Sequence, residues 1–148
     1  MAKFKFKLQS LLNVKTQLEN NLKNILAKEI AELLRQEDIL YEFENDKQNL
    51  IELINTASQI GVTVDTLKKY NGYLSFLNQK ITNQKEQVNI QHGIVDKYRG
   101  KLVKAMQERK TFEKLREKTL EQYLKDEQYA AQKAVEQVIS YRGNPNIK

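Results

Sequence analysis

The sequence predicts an all-α protein, a long antiparallel two-helix coiled-coil hairpin in which the second helix is the longer one. Three observations support this prediction. Charged residues make up 30% of the 148-residue chain, which holds only five Gly and one Pro, a composition typical of long helices. Apolar residues recur at alternating spacings of three and four over most of the chain. A single strong break, near Gly61, divides this pattern into two segments.

The first segment predicts a helix from about residue 4 to about residue 57. A heptad row begins with Leu8, Leu11, Leu18, Leu22 and Ile25, provided that Lys15 takes one buried position. Further along, the apolar row consists of Leu26, Leu33, Leu40 and Ile54, next to Phe43 and Leu50. This change of row predicts that the buried face drifts around the first helix.

Residues 58–65 predict the turn between the helices. Gly61 and the run at residues 62–64 propagate a helix poorly, so the first helix is expected to end before them. Asp65 is the expected N-cap of the second helix, because its carboxylate accepts from free N–H groups of the first turn.

The second segment predicts a helix from about residue 66 to about residue 141. Its apolar row consists of Leu67, Leu74, Ile81, Val88, Val95 and Leu102, with Gln84 and Gln91 as polar interruptions of the companion row. Beyond Phe112 the apolar pattern changes phase, which predicts a stutter near Arg116. Gly143 and Pro145 predict a helix stop and a flexible tail at residues 142–148. The whole chain, residues 1–148, is thus expected to be a single hairpin domain.

Positive charge is expected at the open end of this hairpin. Residues 97–125 contain ten Lys or Arg and four Glu, whereas the rest of the chain has fifteen of each charge. A turn near Gly61 places residue i opposite about residue 123 minus i, so Lys3, Lys5 and Lys7 meet this basic segment. Such a local excess favours an acidic partner.

Catalytic and cofactor chemistry is not expected. The chain has no Cys and a single His, His92, so the sequence predicts no metal site and no disulfide. No nucleotide-binding glycine motif is present, and two packed helices leave no concave site for a substrate. We therefore expect no enzyme activity and no cofactor.

Membrane insertion is not expected either. The apolar runs are too short to span a bilayer and no signal-peptide core follows the first lysines, so a cytosolic location is predicted. Nucleic-acid binding is not expected, because Glu108, Glu113 and Glu117 interrupt the basic segment at spacings that allow ion pairs within the helix.

Three segments are distinctive enough to suggest a family. They read FKFKLQSLLNVK at residues 4–15, YNGYLSFLNQKI at residues 70–81 and ERKTFEKLREK at residues 108–118. Together they resemble the FliJ family, small cytoplasmic proteins of the bacterial flagellar export apparatus. The resemblance implies a stalk-like protein, similar to the central stalk of rotary ATPases, whose open end inserts into the ring of the export ATPase FliI. It also implies binding to the export gate protein FlhA and to export chaperones, and peripheral association with the inner face of the cell membrane through the apparatus.

The resemblance also points to two sets of contact residues. Candidates for the ATPase contact are Phe4, Leu8, Leu11, Arg109, Lys110, Phe112, Lys114, Leu115 and Arg116. Among these, Leu8, Leu11, Phe112 and Leu115 are interpreted mainly as residues of the helix–helix seam. Candidates for the gate contact are Tyr73, Phe76 and Leu77, since Tyr73 and Phe76 fall outside the seam and exposed aromatic side chains often mark partner surfaces.

Two other functions remain open on the sequence alone. One is a generic coiled-coil scaffold or adaptor, and the other is a nucleic-acid-binding coiled coil, which steep salt dependence of binding would reveal. A homodimer is also possible, because the second helix extends past the first and exposes an apolar row. That row consists of Leu120, Leu124, Ala131, Ala134 and Val138.

Overall fold

The computed structural model describes residues 3–143, and the predicted fold class is confirmed. The first helix, α1, spans Gln9–Ile60, and the second, α2, spans Val64–Arg142. The two helices pack against each other as an antiparallel hairpin, and α2 is the longer. No strand occurs within residues 3–143. The predicted tail lies largely outside the described residues, which end at Gly143.

The first helix begins at Gln9, later than the predicted start near residue 4. Lysines 3, 5 and 7 are exposed whereas Phe4 and Phe6 are half-buried, so the first residues alternate with the period of an extended chain. The backbone N–H of Gln9 donates to the carbonyl oxygen of Phe6 over 3.0 Å, which closes the turn that leads into α1. The aromatic side chains therefore anchor a short non-helical segment.

The turn is shorter than predicted and uses a different cap. Gly61 adopts φ +93°, a left-handed conformation that favours glycine, and its N–H donates to the Ala57 carbonyl over 2.9 Å. At the start of α2 the backbone N–H of Thr66 donates to Thr63 Oγ1 over 3.2 Å. Thr63, rather than the predicted Asp65, is thus the N-cap. Asp65 lies in the first turn, where its negative charge interacts favourably with the helix dipole.

The chain divides into two compact units. We call residues 1–20 and 103–148 the terminal unit, and residues 21–102 the hairpin unit. In the hairpin unit, Leu33, Val88 and Val95 are buried together, and Leu26, Ile30 and Leu40 pack against them. The core of this unit is thus formed by aliphatic residues of both helices.

The buried row of α1 differs from the predicted one at its start. Leu11 and Leu18 remain 41% and 43% exposed, whereas Leu12 and Glu19, each one residue further on, are buried. From there a single heptad row of buried or half-buried residues continues without drift. It consists of Leu12, Lys15, Glu19, Leu22, Leu26, Glu29, Leu33, Gln36, Leu40, Phe43, Lys47, Leu50, Ile54 and Ala57. The sequence pattern favoured Leu18 over its charged neighbour Glu19, so one of the two seam positions in each of the first heptads was placed one residue too early. The other position, at Lys15 and Leu22, was predicted correctly.

In α2 the predicted row is buried or half-buried from Leu67 to Leu102. Its polar interruptions are satisfied across the seam. Gln84 Nε2 donates to the carbonyl and side-chain oxygens of Gln36 over 2.8 and 2.7 Å. One heptad away, Gln91 Nε2 donates in the same way to Glu29 over 2.9 and 2.6 Å. These paired bonds explain how polar residues occupy the seam without unsatisfied groups.

The predicted stutter near Arg116 is not observed. Arg109, Arg116 and Tyr123 continue the heptad row of Leu102 and are half-buried, because their long side chains cover the seam with apolar atoms. Every described residue after Tyr123 is exposed, so the apolar row predicted beyond this point covers nothing within residues 124–143.

Candidate partner-binding surfaces

All nine residues proposed for the ATPase contact lie in the terminal unit. Lys15 Nζ lies 3.0 Å from Glu108 Oε2, which matches the predicted facing of residue i and residue 123 minus i. Leu8 and Leu115 line one groove, as the same relation predicts. The structure therefore brings the first residues of the chain together with residues 108–119.

Arg109 is a residue of the seam rather than an exposed cation. Its side chain is 19% exposed, and its guanidinium bonds to Glu19 and, over 2.8 Å, to Glu113. The hydrogen bond to Glu19, followed by the one to Glu113, raises the pKa of Arg109 above its usual value. Glu19 is 3% exposed, so a carboxylate and a guanidinium replace a hydrophobic layer here. The sequence analysis did not identify Glu19 as a seam residue, although it lies one heptad, seven residues, after Leu12.

Arg116 holds the start of the chain in place. Its Nε donates to Gln9 Oε1 over 3.1 Å, and its guanidinium carbon lies 5.7 Å from the centre of the Phe4 ring, within cation–π range. The Phe4 ring packs 5.5 Å from the ring of Tyr123. Burial first, and then the nearby Glu127, raise the pKa of Tyr123. Phe4 and Arg116 thus order the segment before α1.

The other candidates in this unit differ in exposure. Lys110 and Lys114 are exposed and form no ion pair among the described residues, so their charges are available to a partner. Phe112 is half-buried in the seam. Leu8 and Leu115, by contrast, are 38% and 43% exposed, and Leu11 is similar. The interpretation of these three leucines as seam residues is therefore wrong, because the seam passes through Leu12 instead.

The candidates for the gate contact lie in the hairpin unit, where two exposed aromatic side chains lie next to a buried leucine. Tyr73 and Phe76 are 49% and 51% exposed, with ring centres 6.1 Å apart and nearly parallel planes. The Nζ of Lys80 lies 5.4 Å from the Phe76 ring centre. Leu77 is 1% exposed, so it supports this surface from below and has no area for a partner.

A shallow groove extends this aromatic surface onto α1. It has a volume of about 280 Å³ and is lined by Asp46, Asn49, Leu50, Leu53 and Tyr73. Leu53 is 49% exposed and was missed in the sequence, because it lies outside the heptad row of α1. The pairing of residue i with residue 123 minus i could have identified Leu53. It places Leu50 opposite Tyr73, and Leu53 lies one helical turn from Leu50.

His92 is a surface residue with one nearby carboxylate. Its Nε2 lies 3.4 Å from Glu37 Oε1, and both side chains remain about half exposed. Within residues 3–143 there is no group of three or more potential metal ligands. Neither α1 nor α2 contains a stretch long and apolar enough to cross a membrane.

Comparison with known proteins gives one family and one structural relative. The model of the family described as flagellar FliJ protein matches residues 4–140. The structure of a YscO homologue, CT670, from Chlamydia trachomatis is similar with a TM-score of 0.71 and 20% identity, covering 95% of this chain and 93% of that one. At this identity the likeness shows the fold alone. No curated protein matches the chain.

The match to the family model covers nearly the whole chain and includes all three segments that resemble the family in the sequence. Its two-helix fold recurs in the YscO homologue. The chain therefore belongs to the flagellar FliJ protein family and is a component of the export apparatus.

Proposed function

We propose that the chain is the stalk-like component of the flagellar export apparatus and that its terminal unit inserts into the ring of the export ATPase FliI. In this role it acts on the cytoplasmic side of the apparatus, links the ATPase to the gate protein FlhA and escorts export chaperones. It has no catalytic role of its own. The main support is the composition of the terminal unit, where exposed lysines and exposed leucines occur together. Such a surface suits an acidic ring opening with apolar positions.

The test of this role is capture by the ATPase of the same organism. We expect the unmodified chain to be captured in a fixed ratio to the ring, and Lys110→Glu with Lys114→Glu to lose about tenfold or more in affinity. Arg116 is left intact, since its replacement would also release Phe4. The matched control is Lys69→Glu with Lys85→Glu, which changes net charge equally at exposed residues of the hairpin unit. Equal capture of both double variants would contradict the proposed contact.

The gate contact is proposed for Tyr73 and Phe76, with Leu53 as an added member. These three side chains are about half exposed, which is unusual for two aromatic residues and a leucine close together. Tyr73→Ala with Phe76→Ala is expected to weaken FlhA binding about tenfold or more while thermal unfolding stays unchanged. Leu77→Ala is the contrasting variant, because it is expected to lower the unfolding temperature. Unchanged FlhA binding by the aromatic double variant would rule out this surface.

A further inference from the structure

One end of the terminal unit has an apolar groove bordered by lysines. The groove has a volume of about 400 Å³ and is lined by Lys5, Phe6, Lys7, Leu8, Leu115 and Thr119. Leu8 and Leu115 are both more than a third exposed. Leu8, just before α1, and Leu115 of α2 thus form the walls of an open site rather than a packed layer.

A strip of exposed apolar residues continues from this groove along α1. The carbonyl of Leu8 accepts from the N–H of Leu12 over 2.9 Å, so Leu8 already has the phase of the helix. Leu11, Val14 and Leu18 follow at spacings of three and four and therefore lie on the same side. Val14 is 59% exposed. The helix therefore carries a second apolar row beside the seam.

Positive charge flanks the strip. Lys5 and Lys7 lie at the groove, Lys118 lies one turn beyond Leu115 on α2, and Lys104 lies three turns before Leu115 on the same face. All four are exposed and without an ion pair among the described residues. Glu108, which shares this face, is already paired with Lys15 at 3.0 Å. The strip is thus bordered by cations that no carboxylate of the described chain neutralises.

We infer that this face binds an amphipathic helix of a partner protein, whose apolar stripe packs on Leu8, Leu11, Val14 and Leu18 and whose flanking Asp or Glu residues meet the lysines. The spacings of three and four match the anchors of a helix that packs along another helix, so the complex is a local three-helix bundle. The inference deepens the proposed function and rests on it in taking the partner to be a protein of the export apparatus.

A second copy of the chain fits this face less well. A two-fold dimer brings the same surface patch of each copy together, so the unpaired lysines of one copy would meet those of the other. Like charges placed opposite one another oppose association. An acidic amphipathic helix satisfies both the apolar strip and its charged border.

The test uses a designed peptide of about three heptads with Leu at a and d positions and Glu at e and g positions. Its affinity for the full chain is measured by fluorescence anisotropy, beside a peptide in which Lys replaces each Glu. We expect the Glu peptide to bind and the Lys peptide to bind about tenfold more weakly or not at all.

Two double variants locate the binding face. Leu11→Gln with Leu18→Gln removes the strip, and Lys104→Glu with Lys118→Glu reverses its border. Each is expected to weaken binding of the Glu peptide about tenfold, because apolar burial or charge pairing is lost. Both sites are exposed and Gln is a good helix former, so circular dichroism should show unchanged helicity. Lys69→Glu with Lys85→Glu is the control and should bind as the unmodified chain does.

Three results would overturn the inference. These are no binding of the Glu peptide, equal binding by the double variants and the unmodified chain, and dimerisation of the chain that Leu11→Gln with Leu18→Gln abolishes. Capture of the unmodified chain by the ATPase is measured in parallel. Failure of that capture with intact peptide binding would overturn the proposed function alone, and the reverse would overturn the docking face alone.

Discussion

Single polar residues set the alignment of the two helices. In the hairpin unit, Gln84 and Gln91 each bond to both the backbone and the side chain of the residue opposite. In the terminal unit, Glu19 bonds to Arg109 in place of an apolar pair. A shift of either helix by one position would leave these buried or half-buried groups without partners, which costs more than the bonds themselves contribute. Polar seam residues therefore fix the register that leucines alone leave degenerate.

The pKa of Glu32 gives a prediction at the scale of one residue. The Arg35 guanidinium donates to both carboxylate oxygens of Glu32, over 2.9 and 2.6 Å, and Gln36 donates over 2.8 Å. These bonds, with Arg35 first, lower the pKa of Glu32 from 4.5 to about 2. Arg35→Gln should raise this pKa most of the way to its ordinary value, and carboxyl carbon NMR during an acid titration measures it.

The same shift predicts how stability depends on pH. Since the pKa of Glu32 is lower in the folded than in the unfolded chain, this carboxylate favours folding above pH 4.5, and the benefit is lost as pH falls towards about 2. The unmodified chain should thus lose more stability over this range than Arg35→Gln does. A pKa of Glu32 that stays low after the substitution would show that Arg35 is not its main cause.

The ends of the elements depend on a few local residues. Gly61 ends α1 in a left-handed conformation and Thr63 caps α2, so only two residues lie between Gly61 and the first residue of α2. The sequence correctly indicated that the turn contains Gly61. The β-branched run at residues 62–64, however, suggested a longer non-helical segment than the structure has. At the other end of α1, alternating Lys and Phe with a period of two indicated an extended segment that the heptad interpretation overlooked.

Two glycine substitutions should act in opposite directions. At Gly61, φ is +93°, so Gly61→Ala should destabilise the chain by about 1 kcal/mol or more, because a side chain disfavours this conformation. Gly93 lies within α2 with open space around its missing side chain, so Gly93→Ala should stabilise by about 0.5–1 kcal/mol. Urea unfolding followed by circular dichroism measures both. A stabilising Gly61→Ala would contradict the described turn.

At the scale of the whole chain, fold class, helix pairing and register were predictable because they depend on a repeat that persists over many heptads. Which residues of the first heptads are buried was not predictable. Leu11 and Leu18 have the spacing of seam residues but are exposed, whereas Glu19 and Arg109 occupy the seam as a charged pair. The seam row and the exposed row are offset by one residue along α1. An assignment by hydrophobicity alone therefore selects the exposed row as the buried one. Where apolar residues exceed what the seam needs, the surplus is the signal for a partner surface.

The end of α2 gives the last prediction, which separates folding from association. All described residues after Tyr123 are exposed. They include the apolar side chains of Val135, Val138 and Ile139, each of which is more than half exposed. Deleting residues 129–148 should therefore change the unfolding temperature by no more than about 2 °C, since little buried surface is lost. If this segment pairs two copies, as its apolar row suggests, sedimentation should show a dimer of the full chain that the deletion removes.

Val138→Gln with Ile139→Gln is the matched full-length variant for this experiment, because it removes the apolar character and keeps the helix. It should behave as the deletion does in sedimentation and as the full chain does in unfolding. A large loss of thermal stability on deletion that does not depend on protein concentration would mean that the segment packs within the chain. An unmodified chain that stays monomeric at high concentration would instead leave the exposed end of α2 available to a different protein of the export apparatus.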